Sequence, residues 1–198
     1  MNVRLTIVLV LVLILIGGLV AVTQVLRSGS DNVPERKARL YRISSAELVG
    51  IELTQLGPDK IEKGTDRIEF VAVYSADGNR EWFIRKENGG DVAVDVKRWG
   101  GIPALVGGPS VIRDLSDDEG ALDLSVYGLD QPKRHIYLTL KQGIRIDVEV
   151  GDDDPTSRGY YVKVAGTRPL FIVTKEWVDV IMGLLSDPPY QAEDVETG

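Results

Sequence analysis

With 198 residues, the chain suffices for one globular domain plus a tail or an anchor. Hydrophobic residues make up 43% and charged residues 27%, which excludes the disordered class, and a net charge of −7 leaves non-specific nucleic-acid binding without an electrostatic basis. Cysteine is absent and histidine occurs once, which excludes disulfides, thiolate metal sites, cysteine nucleophiles and a multi-histidine site within the chain, and no cofactor is expected.

From Leu5 to Leu26 the only strongly polar side chain is Gln24, with Thr6 and Thr23 mildly polar. About 20 apolar residues cross a bilayer core as a helix, so residues 5–26 are expected to lie in a lipid bilayer. Arg4 and Arg27 bracket the run, and long cationic side chains reach the headgroups from such positions. A cleaved signal peptide has an apolar region of about 7–15 residues and small residues before the cut, and Val20-Ala21-Val22-Thr23 is a poor match. Residues 1–27 therefore read as an uncleaved, single-pass signal-anchor. Two arguments about its orientation conflict. Arg27, Arg36, Lys37, Arg39 and Arg42 outnumber Arg4, which places the C-terminal domain in the cytoplasm by the positive-inside rule. A four-residue leader before the helix instead resembles an export signal.

Residues 28–39 are polar, contain Pro34 and read as a tether. Residues 40–188 read as a soluble α+β domain. Val49, Ile51 and Leu53 alternate with Gly50, Glu52 and Thr54, the period of a half-buried strand, and Ile68, Phe70, Ala72 and Tyr74 repeat it. Ala76 to Asn79 gives a turn, and Trp82 to Ile84 a third strand. Asp95 begins a helix with Val96, Trp99, Ile102 and Val106 on one face, weakened by Gly100, Gly101 and Pro103. Residues 107–123 read as an acidic, glycine-rich connection. Ile136, Leu138 and Leu140, then Ile144, Ile146, Val148 and Val150, make a hairpin around Lys141-Gln142-Gly143. Residues 151–155 read as a loop, Tyr160, Val162 and Val164 as a strand, and Leu170 to Val173 as the last strand. Thr174 is placed to cap a helix with an apolar stripe of Trp177, Val178, Ile181, Leu184 and Leu185, ended by Pro188-Pro189. Residues 189–198 form an acidic tail. The expected fold is an antiparallel sheet packed by one or two helices, and the like order of the two halves leaves a duplicated β-rich unit open.

No catalytic constellation emerges. Asp152, Asp153 and Asp154 with Arg158 are the strongest interaction-loop candidate. Adjacent aspartates lack the alternating ligand spacing of a calcium loop, so a solvated hairpin loop explains them more simply. His135 lies on the polar face of its strand with no recognisable nucleophile partner. Asp114, Asp117, Asp118 and Glu119 read as a solvated loop, and neither Gly107-Gly108 nor Gly89-Gly90 has phosphate-loop spacing. Trp82, Trp99 and Trp177 read as core.

The order Tyr127-Gly128-Leu129-Asp130-x-Pro132, Val148 to Asp152, Pro155, Gly159 to Val162 and Leu170 to Val173 resembles the bacterial domain of unknown function 4340 family. Tyr41 to Ile43, Leu48 to Leu53 and Trp82 extend the likeness toward the N-terminus. The resemblance implies an envelope protein with an N-terminal anchor and its domain outside the cytoplasmic membrane. Some members are linked with gliding-type ABC transport systems. The family carries no established catalytic residues, so none transfers here. The expected function is a non-enzymatic, membrane-tethered interaction or accessory module, whose sheet edge or acidic loops contact a membrane or envelope protein. The alternatives are a calcium- or glycan-binding domain on an anchor and an unrecognised hydrolase.

Overall fold

The computed structural model describes residues 40–57, 65–86, 89–116 and 123–191, all within one compact unit spanning residues 38–198. The expected anchor, the tether, residues 117–119 and most of the acidic tail lie outside the described residues. Within the described residues no helix is long and apolar enough to cross a membrane.

The chain order is β1 (Leu48–Leu56), β2 (Thr65–Tyr74), β3 (Arg80–Arg85), β4 (Val92–Ala93), α1 (Val96–Trp99), α2 (Ile102–Leu105) and β5 (Val111–Asp114). After a 3-10 turn (Leu124–Tyr127) come β6 (Arg134–Leu140), β7 (Arg145–Asp153), β8 (Gly159–Val164), β9 (Phe171–Thr174) and α3 (Lys175–Gly183). The strands form a nine-stranded antiparallel sheet in the order β4-β3-β2-β1-β6-β7-β8-β9-β5. The protein is thus β-rich α+β, with short helices.

The period-two pattern explains the registers. Ile84, Phe70, Ile51, Leu138 and Ile146 stand opposite one another across five strands, and Ile68, Leu53, Ile136, Val148 and Val164 form the next row. A one-residue slip of any strand would turn its apolar set to solvent, so these rows fix the pairing. The helices cover this apolar face. Asp95 caps α1 by accepting from the Lys97 and Arg98 amides at 2.8 and 3.3 Å. Gly100, Gly101 and Pro103 split the expected helix into two single turns. Trp99 stacks on Phe70 at 4.5 Å and lies 5.2 Å from Trp82. On α3, Trp177, Val178, Ile181 and Met182 are buried, and the Trp177 indole donates to the Leu105 carbonyl at 2.9 Å, tying α3 to α2. Thr174 holds the N-cap position, but its side chain makes no capping bond.

The structure corrects three boundaries. The connection expected over 107–123 contains β5, whose four residues and register shift are too brief to show alternation. The loop expected over 151–155 is strand through Asp153. The fold does not end at residue 188. Asp95 N–H donates to Pro189 O at 2.8 Å, Gln191 N–H to Ala93 O at 3.2 Å, and Arg98 pairs with Asp187 at 2.7 Å. The returning chain thereby covers the two-residue edge strand β4, while β5 is short and shifted in register. Both are devices that discourage edge-to-edge pairing.

Candidate functional site

The three aspartates of the candidate loop take three separate roles. Asp154 is buried and accepts from the Thr156 amide and hydroxyl at 2.8 and 2.7 Å, and from the Arg158 and Gly159 amides at 3.1 and 2.9 Å. The Thr156 hydroxyl and these amides hold its carboxyl below the usual carboxylate range. It is the internal knot of the β7–β8 turn. Asp153 pairs with the Lys175 ammonium at 2.8 Å, and that hydrogen bond lowers its pKa. Lys175 and Arg134 both lie over the Tyr160 ring, at 5.1 and 4.5 Å, and the Tyr160 hydroxyl donates to Asp179 at 2.9 Å. Asp153 therefore fastens the end of β7 to the start of α3. Only Asp152 turns elsewhere. Arg158 is exposed and spends its Nε on the Thr156 hydroxyl at 3.2 Å. Among the described residues no group of three or more His, Asp or Glu side chains is arranged to hold a metal ion.

Asp152 lines a cleft of about 460 Å³ at the far end of the central strands. Its walls are Leu56 at the end of β1, Lys133 and Arg134 at the start of β6, Asp152 at the end of β7, and Asp130 with Gln131 from the preceding loop. The loop is held down by close backbone packing. A methyl on Gly151 would stand 2.1 Å from the Tyr127 carbonyl oxygen, so the loop backbone lies directly on β7. Gly128 adopts a left-handed φ of 66° and has the Asp152 carboxylate against its Cα. Leu129 is buried against Leu115, Leu170 and Ile172, and Tyr127 meets Tyr161 edge-on at 4.8 Å. Arg134 donates to the Gly151 carbonyl. The Asp130 and Asp152 carboxylates and the Lys133 ammonium make no ion pair among the described residues.

The polar face of the central sheet behaves differently. Arg85, Glu69, Glu52, Tyr137 and Asp147 form one cross-strand row, and Thr54, His135, Glu149 and Lys163 lie in the next. Arg67 and Arg145 hold Glu52 at 2.7 and 2.8 Å, Arg85 holds Glu69 at 3.1 Å, and Lys163 reaches Glu149 at 3.5 Å. The Arg145 guanidinium lies 4.1 Å from the centroid of the Tyr137 ring. Desolvation, then the Asp147 charge, push the Tyr137 hydroxyl upward. His135 stacks on Tyr137 and places Nδ1 3.0 Å from Asp147 Oδ1. Asp147 is its hydrogen-bond partner among the described residues, and Thr54 is its cross-strand neighbour on β1. This face is a lattice of mutually neutralised charges.

The chain matches no family model, no curated protein and no solved structure.

The cleft therefore stands on its geometry. It joins two stretches distant in sequence, the Tyr127 to Pro132 segment and the Val150 to Asp152 segment, through glycines that permit backbone contact. Reading the sequence element by element missed this contact, because periodicity reports on strands and not on which loop lies over which strand. The paired glycines were the available signal. Asp130, Gln131 and Lys133 join the site, whereas Asp153, Asp154 and Arg158 stand apart from it.

Proposed function

We propose that this protein is a single-pass, membrane-tethered, non-enzymatic interaction module that presents the cleft to a membrane or envelope protein. The observation that carries the reading is the apolar run Leu5 to Leu26 ahead of a self-contained folded unit. The polar face supports a non-enzymatic role, since its acids and bases are already spent on one another. Both sheet edges are blunted, which favours the loop-built cleft over strand addition as the contact. Asp130, Asp152 and Lys133 are the side chains there with charge to spare. Purification from mild detergent should recover a partner with the native chain and lose it with Asp130→Asn/Asp152→Asn. Repeated recovery of the native protein alone would refute the reading.

Membership of the domain of unknown function 4340 family is part of the proposal. The contact between two segments of the ordered set, Tyr127 to Pro132 and Val148 to Asp152, supports it. So does the topology: β1 to β4 followed by α1 and α2 parallels β6 to β9 followed by α3, and the two meanders meet antiparallel at β1 and β6. That arrangement favours a duplicated β-rich unit. The family likeness favours a module outside the cytoplasmic membrane, against the local count of lysine and arginine. In intact spheroplasts, protease should digest the module; protection would mean a cytoplasmic module.

A further inference from the structure

Residue 40 leads into the start of β1, and Leu56 at the other end of β1 borders the cleft. The nine residues of this strand separate the two ends by about 30 Å. Two hairpin tips share the entry end. The β2–β3 turn lies there because Gly50, near the start of β1, pairs with Val71. The β6–β7 turn lies there because Leu48 pairs with Leu140 and the Lys141 amide donates to Glu47 O at 2.9 Å. The tips meet, with the Lys141 ammonium 4.9 Å from the centroid of the Tyr74 ring.

These tips carry apolar side chains where turns ordinarily carry polar ones. Val73, Tyr74 and Ile144 are 47%, 43% and 51% exposed. An apolar group left in water at a hairpin end gains from any further surface that covers it. Cations accompany them. Lys141 is exposed, and the sequence leading into this end, Arg27 to Arg42, holds Arg27, Arg36, Lys37, Arg39 and Arg42 against Asp31 and Glu35. Three acids share this end among the described residues: Asp77 accepts from the Ser75 hydroxyl and the Asn79 amide group, and Glu47 and Glu81, the latter opposite Val73, are exposed. The opposite end of β1 sets Asp130 and Asp152 beside Lys133 and Arg134, so the basic excess of residues 27–42 in the sequence leads to the end that carries the exposed Val73, Tyr74 and Ile144.

We infer that the entry end, through Val73, Tyr74, Lys141 and Ile144, rests on the anionic headgroup layer of a lipid bilayer. A tyrosine ring suits the membrane–water interface, and each lysine or arginine near an anionic leaflet adds attraction that salt screens. The inference rests on the membrane tether proposed above. It deepens that proposal by holding the cleft about 30 Å from the headgroups, the length of β1, open to a partner.

The native chain has no cysteine, so single labels are clean. Full-length I144C and Q131C would each carry a fluorophore and be reconstituted in vesicles of phosphatidylglycerol and phosphatidylcholine containing a headgroup-region quencher lipid. The label at residue 144 is expected to be quenched severalfold more than that at residue 131. The excess should fall in phosphatidylcholine alone and on adding Tyr74→Ser with Lys141→Glu. Equal quenching at the two positions, or none at 144, would overturn the inference. Alkaline carbonate extraction of the same vesicles separates the two failures. A chain that stays in the bilayer without quenching at 144 refutes the docking alone, and a chain that is extracted refutes the tether as well.

Discussion

Gly151→Ala tests the contact that builds the cleft. Its methyl would stand 2.1 Å from the Tyr127 carbonyl oxygen and 2.9 Å from Leu129 Cγ. The first neighbour is backbone, so no side-chain rotation relieves the overlap, and the loop must lift from β7. Overpacking of this kind costs about 1–3 kcal/mol. Lifting also exposes part of Leu129, now 3% exposed, whose full burial contributes roughly 1.5–3 kcal/mol. Together these give a loss of about 2–4 kcal/mol, or a fall in Tm on the order of 10 °C for a domain of this size. Gly183→Ala is the matched control, since nothing lies within 4 Å of its added methyl. At a helix end it should be neutral or stabilising by up to about 1 kcal/mol. Urea and thermal unfolding of the fragment 40–191 would measure both. A Gly151→Ala variant within about 0.5 kcal/mol of the parent would refute the packing argument.

Three further outcomes are expected. Asp154 and Asp153 titrate below their unfolded values, so the stability they confer is complete above about pH 4 and lost as pH falls through their lowered folded values. The Tm gap between the native protein and Asp154→Asn should stay constant from about pH 7 to 5 and narrow below about pH 4; a gap that widened in acid would contradict this. Trp177→Phe removes the 2.9 Å bond to Leu105 O and some core volume, and urea unfolding should show a loss of about 2–3 kcal/mol. Calorimetry with calcium should give no heat, because the three aspartates diverge; heat abolished by Asp153→Ala would show that they rearrange around the ion.

The central strands were legible because one face of each is buried. Ile51 and Leu53 alternate with Glu52 and Thr54 in the sequence as they do across the sheet, and the same holds from Ile136 through Val150. Asp95 as a cap and the break at Gly100 to Pro103 were legible from local chemistry. β4 and β5 were not, since two and four residues at sheet edges carry too little periodicity and owe their conformation to β3 and β9. The returning chain at Pro189 and Tyr190 is fixed by Val94 and Asp95, nearly a hundred residues earlier. The aspartate run was visible as a feature, but its meaning lay in partners far along the chain: Lys175 for Asp153 and the Gly128 loop for Asp152. Long-range contacts decide such roles, and local pattern does not encode them.

Photo-crosslinking from Gln131 in intact membranes tests the tethered-module account most directly, since this exposed residue stands in the cleft. A discrete adduct with one membrane or envelope protein is expected, lost in Asp130→Asn/Asp152→Asn and in a chain without residues 5–26. No adduct from position 131, or the same adduct without residues 5–26, would contradict the account.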